Sequence, residues 1–374
     1  MKRIVYADNA ATTQMDSDAF EAMKPYLVQE YGNASQPYSF ARQPKKALQE
    51  ARETVASCIG ALPEEVFFTS GGTESDNWAI KGTAFRNYNH RATITTAFEH
   101  HAVLHACEAI ERLGCPVAYM WPDNNGNISP ETLERYITDE TLLVSVMLAN
   151  NEIGSIQPIK ELCNIAHAHG ALFHTDAVQA VGHINIDVNE LGVDMLSASA
   201  HKFNGAKGVG FLYIRKGTPI TAYADGGAQE HGLRAGTENV AGIVSMAIAI
   251  RKNVDNLKAN QEHIIDLENM LINSLNESGI PYTRNGGDHT LPGIISLSFD
   301  GKDGEAILHR TDLMGICIST GSACDSKNTE ISHVLQALRM QDSFAKGTIR
   351  ISLGKDNTEE DVEAIVIALK KILL

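Results

Sequence analysis

Three observations predict an α/β protein: a large domain with a mostly parallel mixed sheet flanked by helices, plus a smaller α+β domain. Across residues 66–214, apolar runs of strand length alternate with amphipathic helical stretches, as in parallel strands joined by crossover helices. Several of these runs end in small, polar or ionisable residues, which such a sheet gathers at the carboxyl ends of its strands. Past about Asn256 the order changes to short interleaved strands and helices. The expected division is a large ligand-binding domain at 15–256 and a small domain at 257–374, to which an arm at 1–14 is added.

The elements follow in order. Residues 6–13 are small and polar and read as an arm, and Asp16 or Ser17 caps a helix expected to run to about Glu30. From 39 to 59 apolar positions recur at helical spacing. A strand at 66–69 leads through Ser70-Gly71-Gly72-Thr73 to a helix expected over 78–85. The strand at 92–97 meets Glu99-His100-His101 at a helix start, and the strand at 142–148 ends in Ala149-Asn150-Asn151-Glu152-Ile153-Gly154. A helix at 159–169 is followed by the apolar run 171–173, which ends in His174-Thr175-Asp176. The run 193–196 leads into Ser197-Ala198-Ser199-Ala200-His201-Lys202, then a glycine-punctuated turn and a strand at 209–214. After a glycine-rich stretch at 223–239, a helical pattern runs from 240 to about 275. Continuous, it would span roughly 50 Å at 1.5 Å per residue, too long for one compact layer, which places the boundary near Asn256. The small domain reads as strands at 294–299, 316–319 and 348–353 and helices at 304–311, 331–338 and 359–373, the last opened by Thr358-Glu359-Glu360-Asp361.

Composition excludes several classes of function. Hydrophobic residues make up 43% and charged residues 21%, the balance of a folded globular chain. A net charge of −15 is the wrong sign for a nucleic-acid footprint, so no nucleic-acid partner is expected. No apolar run approaches the ~20 residues of a membrane helix, and the first five residues lead straight into polar sequence. A cytoplasmic protein with no membrane partner is the expectation. The six cysteines form no CxxC pair and show no metal-ligand spacing, so reduced thiols and no metal are expected.

The chemistry-bearing stretches point to one cofactor. A partly desolvated Lys202, with small residues on both sides, has an amine suited to Schiff-base formation. Asp176, at a strand's carboxyl end, is placed to face a ligand. Pyridoxal phosphate needs both, a lysine for its aldehyde and an acid for its pyridine nitrogen. The Ser70-Gly71-Gly72-Thr73 turn offers backbone N–H groups and the Thr73 hydroxyl at a helix N-terminus, which suits a phosphate. His100 can stack on an aromatic ring or move protons. Arg350, a cation in an apolar strand, has the fork geometry for a carboxylate, and Cys324 sits in a small, polar loop where a thiol can act as a nucleophile. Taken singly, each has an ordinary reading as a solvated lysine, a capped helix, a packed histidine, a surface arginine or a structural thiol.

Together these stretches resemble the pyridoxal-phosphate-dependent cysteine desulfurases of the NifS/IscS type, in the class V aminotransferase group. The resemblance is carried, in this order, by Asp8-Asn9-Ala10-Ala11-Thr12-Thr13, Thr69-Ser70-Gly71-Gly72-Thr73-Glu74-Ser75-Asp76-Asn77, Asn150-Asn151-Glu152-Ile153-Gly154, Asp176-Ala177-Val178-Gln179, His201-Lys202, Arg234-Ala235-Gly236-Thr237 and Gly321-Ser322-Ala323-Cys324. It implies the fold type I of pyridoxal-phosphate-dependent transferases, pyridoxal 5'-phosphate as cofactor and L-cysteine as substrate. Sulfur would pass to Cys324 as a persulfide, leaving L-alanine, and then to an acceptor protein for iron–sulfur clusters, other thio-cofactors or tRNA thiolation. By the same resemblance Lys202 tethers the cofactor, Asp176 bonds its pyridine nitrogen and Gln179 its phenolic oxygen. Gly72, Thr73, Ser199 and His201 hold its phosphate, with Thr237 reaching over from the other subunit of a homodimer. His100 stacks on the ring and assists proton transfer, while Asn151 and Arg350 hold the substrate carboxylate.

The chain departs from the family pattern at three places. Ala206 stands where a proline is common, Asn33-Ala34-Ser35-Gln36-Pro37-Tyr38 diverges from a motif that usually carries proline, serine and histidine, and His231 replaces a frequent arginine. These bear on the substrate mouth and the dimer contact. Two rivals are a selenocysteine lyase or related β-elimination enzyme with the same cofactor, and a catalytically silent paralogue acting as a binding partner. The joint presence of Lys202, Asp176, His100 and Cys324 speaks against the second.

Overall fold

The computed structural model describes residues 3–86, 91–320 and 331–374. The chain opens with β1 (Val5–Tyr6), α1 (Ser17–Val28) and α2 (Arg42–Cys58). Asp16 caps α1 by accepting from the Asp18 N–H at 2.9 Å. On α2 the buried residues Ala47, Leu48, Ala51 and Val55 recur at helical spacing and face the core. Next come β2 (Val66–Thr69), α3 (Gly72–Arg86), β3 (Ala92–Thr96), α4 (His101–Glu111), β4 (Val117–Met120), α5 (Pro130–Tyr136) and β5 (Thr141–Ser145). They are followed by α6 (Ile159–Ala168), β6 (Leu172–Asp176), α7 (Val188–Leu191), β7 (Met195–Ser199) and β8 (Gly210–Ile214).

The strands from β2 to β8 form one seven-stranded sheet in the order β2-β8-β7-β6-β5-β3-β4. β8 runs antiparallel to both its neighbours and the other pairs are parallel. Because side chains alternate across a strand, each strand feeds two cores. Phe67, Leu143, Met195 and Leu212 pack on one face with Trp78 and Ile80 of α3 and Val103 of α4. Phe68, Val144, Leu196 and Phe211 pack on the other with Val55 of α2 and Leu162 of α6. Strands covered on both faces have no wet side, which is why β5, β7 and β8 are buried along their whole length.

The rest of the chain comprises α8 (Val240–Asp255), α9 (Leu257–Ser278), β9 (Thr283–Asn285), β10 (Ile294–Ser298), α10 (Gly304–Leu313), β11 (Ile316–Cys317), α11 (His333–Ala337), α12 (Asp342–Ala345), β12 (Thr348–Ser352) and α13 (Glu359–Leu373). β12-β10-β9 is an antiparallel sheet, and β1 pairs in parallel with β11, Val5 opposite Ile316. A third core joins Leu267 and Leu271 of α9, Ile295 and Leu297 of β10, Ile349 and Ile351 of β12, and Val362, Ile365 and Leu369 of α13, with Val5 of the arm. Thr358 and Asp361 form a reciprocal capping box on α13.

Several boundaries differ from the sequence expectation. α3 begins at Gly72, ahead of Trp78, because the Ser75 hydroxyl lies 2.8 Å from the Thr69 hydroxyl and donates to the Phe211 carbonyl at 3.1 Å, holding a first turn of low intrinsic propensity. β5 ends at Ser145, and residues 146–154 continue as a loop. The long helical run breaks at Asn256, whose side chain donates back to the Lys252 carbonyl at 2.8 Å, the competition that makes asparagine a poor helix interior. No helix among the described residues is long and apolar enough to cross a membrane.

Candidate active site

A cavity of about 530 Å³ opens at the carboxyl ends of β5, β6 and β7. Its walls bring together Gly72, Thr73, His100, Asn151, Asp176, Gln179, Ser199, His201, Lys202 and Arg350, drawn from positions nearly 280 residues apart. Where α3 begins, the wall includes backbone at Gly71 and Gly72. Gly71 has φ +146°, a conformation side chains rarely adopt, and a Cβ on Gly72 would lie 2.6 Å from Val178 Cγ2. These glycines let the positive end of α3 line the cavity with main-chain N–H groups, next to the side chains of Thr73 and Ser199.

Lys202 follows β7 in a short 3-10 turn, and its Nζ donates to the Ala10 carbonyl at 2.5 Å and the Ala11 carbonyl at 2.9 Å. The arm therefore forms part of the site. Gln179 donates to the same Ala10 carbonyl at 2.9 Å, and His201 Nδ1 lies 3.1 Å from the Thr12 hydroxyl. Burial and the charge of Lys202 push His201 down to about 4, so its ring is neutral.

Asp176 ends β6 buried, with one oxygen accepting from the Val178 N–H at 2.9 Å. Burial raises its carboxyl to about 6, while the Val178 N–H and Lys202 favour the anion. His174, on the same face of β6, is sandwiched between Ser145 at 2.8 Å and Ser197 at 3.0 Å and is pushed down to about 3 by burial. His100 caps α4 through Nδ1, which accepts from the Ala102 N–H at 3.1 Å. Burial, then Lys202, lowers it to about 4. A neutral ring whose Nδ1 is an acceptor carries its proton on Nε2.

Arg350, on β12, is 4% exposed and donates to Asp8 Oδ1 at 2.7 Å and to the Asn151 carbonyl at 2.9 Å. Its Nε is buried without a hydrogen-bond partner among the described residues. Behind it, Glu152 accepts from the Ser332 hydroxyl, and burial pushes its carboxyl up to about 7.

Two predicted residues are not among the described residues that line the cavity. Thr237 lies in a separate recess with Arg234 and Glu238, which shares Ser70 and Gly208 with the cavity. Cys324 lies outside the described residues. On either side of it, Ser319 exchanges backbone hydrogen bonds with Arg350, and Ser332 bonds Glu152. Ala206, Tyr38 and His231 do not line the cavity. Asp76 does, and the sequence motifs left it without a role. The available signal was spacing, because Gly72 and Asp76 are one helical turn apart and share a face.

The set fits pyridoxal phosphate: an amine for its aldehyde, a buried acid for its ring nitrogen, and for its phosphate a helix N-terminus whose glycines leave space that a Cβ would fill.

Comparison with known proteins agrees. The family model "Aminotransferase class-V" matches residues 5–365. The chain is 47% identical to "Cysteine desulfurase IscS" of Dictyoglomus turgidum, over 100% of this chain and 95% of that one. It is 45% identical to the protein of the same name from Methanosarcina thermophila, over 99% and 92%. A solved structure described as a NifS-like protein superposes with a TM-score of 0.93 at 38% identity, covering 99% of both chains. Another, described as SspA in complex with cysteine, superposes with a TM-score of 0.84 at 35% identity, over 94% of this chain and 99% of that one. With the family model spanning nearly the whole chain and relatives of this identity matched end to end, the chain belongs to the aminotransferase class-V family.

Proposed function

We propose that the chain is a pyridoxal-phosphate-dependent cysteine desulfurase that converts L-cysteine to L-alanine and carries the sulfur on Cys324. One observation carries the reading: the Lys202 amine, Asp176, neutral His100 and buried Arg350 share one cavity. Full-length similarity to proteins named cysteine desulfurase supports it.

When bound, pyridoxal phosphate supplies an electron sink for the α-carbon of an amino acid. Lys202 would tether it, the Asp176 anion would hold the proton on its ring nitrogen, Gln179 would bond its phenolic oxygen, and Gly72, Thr73, Ser199 and His201 would cradle its phosphate. His100 would stack on the ring and has a proton on Nε2 to offer to the reacting groups. Arg350 and Asn151 take the substrate carboxylate, Arg350 being fixed in place by Asp8. The Cys324 thiolate attacks the substrate sulfur. The new S–S bond forms as the C–S bond breaks, and protonation of the released carbon gives L-alanine.

The same proposal includes a homodimer in which the partner subunit's Thr237 completes the phosphate cradle, an acceptor protein that takes the persulfide sulfur, and a cytoplasmic setting. It also includes two domains, 15–256 and 257–374, with the arm belonging to the second. The β1–β11 pairing and the break at Asn256 support that division.

The test is release of alanine and sulfide from L-cysteine, with reductant, by wild type and Cys324→Ala. Wild type should give both in equal amounts, and Cys324→Ala should keep its cofactor absorbance and lose sulfide release. A protein that binds pyridoxal phosphate and leaves L-cysteine intact would refute the reading, and full sulfide release by Cys324→Ala would refute the role of Cys324.

A further inference from the structure

Asp76 is the one ionisable side chain in the cavity wall at α3 whose burial the proposed chemistry leaves unexplained. It is 1% exposed, and its Oδ1 has no hydrogen-bond partner among the described residues. One oxygen of Asp76, one oxygen of Asp176 and one ring nitrogen of His100 all lie within 4.8 Å of one another. Two buried carboxylates this close cannot both be ionised cheaply, so the pair keeps a proton.

The surroundings decide which member holds it. From α3, Asp76 faces β6, β7 and the turn before α4, and the groups there are Asp176, His174, Ser197, Glu99 and His100. Burial and then the Asp176 anion oppose a charge on Asp76, the Ser197 hydroxyl favours one, and Glu99, itself raised to about 8 by burial, is neutral at neutral pH. His174, 3.7 Å from Asp76 Oδ1, is neutral and brings no compensating cation. Asp176 instead has the Val178 N–H and the Lys202 cation on its side. A backbone N–H and a cation beside Asp176, against a single hydroxyl beside Asp76, assign the charge to Asp176.

We propose that Asp76 is a neutral carboxylic acid that holds the proton of the Asp76–Asp176 pair, and so acts as a positioning residue that leaves Asp176 the anion facing the cavity. The inference rests on the cofactor reading for its use and on the geometry of the pair for its existence. A neutral Asp76 adds no second anion beside Asp176, so the acid that meets a ring nitrogen keeps its charge through the neutral pH range. The two positions therefore differ in what can replace them. An aspartate that is never ionised can be replaced by asparagine at little cost, whereas asparagine at 176 cannot supply the anion.

The experiment is infrared difference spectroscopy of the cofactor-free protein at neutral pH, reading the carbonyl stretch of protonated carboxyl groups in wild type, Asp76→Asn and Asp176→Asn. The expected result is a band lost in Asp76→Asn. An unchanged spectrum in Asp76→Asn, or a band lost only in Asp176→Asn, overturns the assignment. A second readout uses the loaded protein. Asp76→Asn swaps one neutral group for another, so its affinity for pyridoxal phosphate should stay within about threefold of wild type. The pH dependence of its visible absorbance should move by only a few tenths of a unit. Removing a real charge some 5 Å from Asp176 would move that profile by about 2 units, and such a shift also overturns the proposal. The infrared result stands apart from the functional reading, because it is obtained without the cofactor.

Discussion

Replacing Glu99 by glutamine should make the protein more stable than wild type, by a margin that grows with pH. Glu99 is fully buried. One carboxyl oxygen accepts from the Thr96 hydroxyl at 2.8 Å and the Met147 N–H at 2.9 Å, while the other has no hydrogen-bond partner among the described residues. Burial pushes its carboxyl from 4.5 up to about 8. A group whose pKa is raised by folding contributes stability that is fully present below its unfolded value and is lost as pH rises through the folded one. The interval of about 3.5 units corresponds to roughly 5 kcal/mol at its upper bound, of which roughly 3 kcal/mol falls between about pH 5 and about pH 8. Glutamine keeps both accepted bonds and cannot ionise. His100, His174 and His201 act in the opposite sense, their lowered values costing stability as pH falls below 6.5, but both proteins carry them and they cancel in the difference. Urea unfolding of the cofactor-free proteins at the two pH values measures the gap. A gap that stays constant with pH would mean that Glu99 is ionised throughout, and the reasoning would fail.

Two further outcomes follow from the packing around the cavity. Arg52→Met should cost about 3–5 kcal/mol, because the guanidinium bonds both oxygens of buried Glu230 at 2.7 and 2.8 Å and its loss strands that carboxylate; the readout is a lower urea midpoint with an unchanged slope. Gly210→Ala should cost about 3 kcal/mol and weaken cofactor binding, since its Cβ would lie 2.4 Å from the Ala198 carbonyl oxygen and 2.7 Å from Gly71 Cα, neither of which can rotate aside. Thermal melting and a titration with pyridoxal phosphate check both effects, and a full-affinity, normally stable Gly210→Ala would show that the two backbones separate easily.

Much of this architecture was legible because periodicity and strand-end chemistry are local signals. The alternation across 66–214 anticipated the large sheet, and Lys202 and Asp176 could be paired because each closes an apolar run. What escaped depends on neighbours distant in sequence. The start of α3 at Gly72 is held by Ser75 reaching the Phe211 carbonyl, and no helix scale sees that contact. β4 and β9 are edge strands of four and three residues whose pairing partners define them. Asp76 looked like one more polar residue in a helix start, because burial of an acid leaves no trace in composition. Arg350 was singled out by its apolar strand, but its tie to Asp8, at the other end of the chain, was visible only once the arm was folded.

That arm works as a mechanical tie. Its first strand is laced to β11, its Asp8 grips Arg350 on β12, and its Ala10 and Ala11 carbonyls hold the lysine amine beyond β7. All three sheets thus meet on one short length of chain, joined to it by strand pairing, an ion pair and hydrogen bonds. The lysine is one of several holds at that end: with the amine drawn away, Gln179 still donates to the Ala10 carbonyl and the Thr13 N–H and hydroxyl still donate to the His201 carbonyl, so the arm keeps its place while the lysine moves.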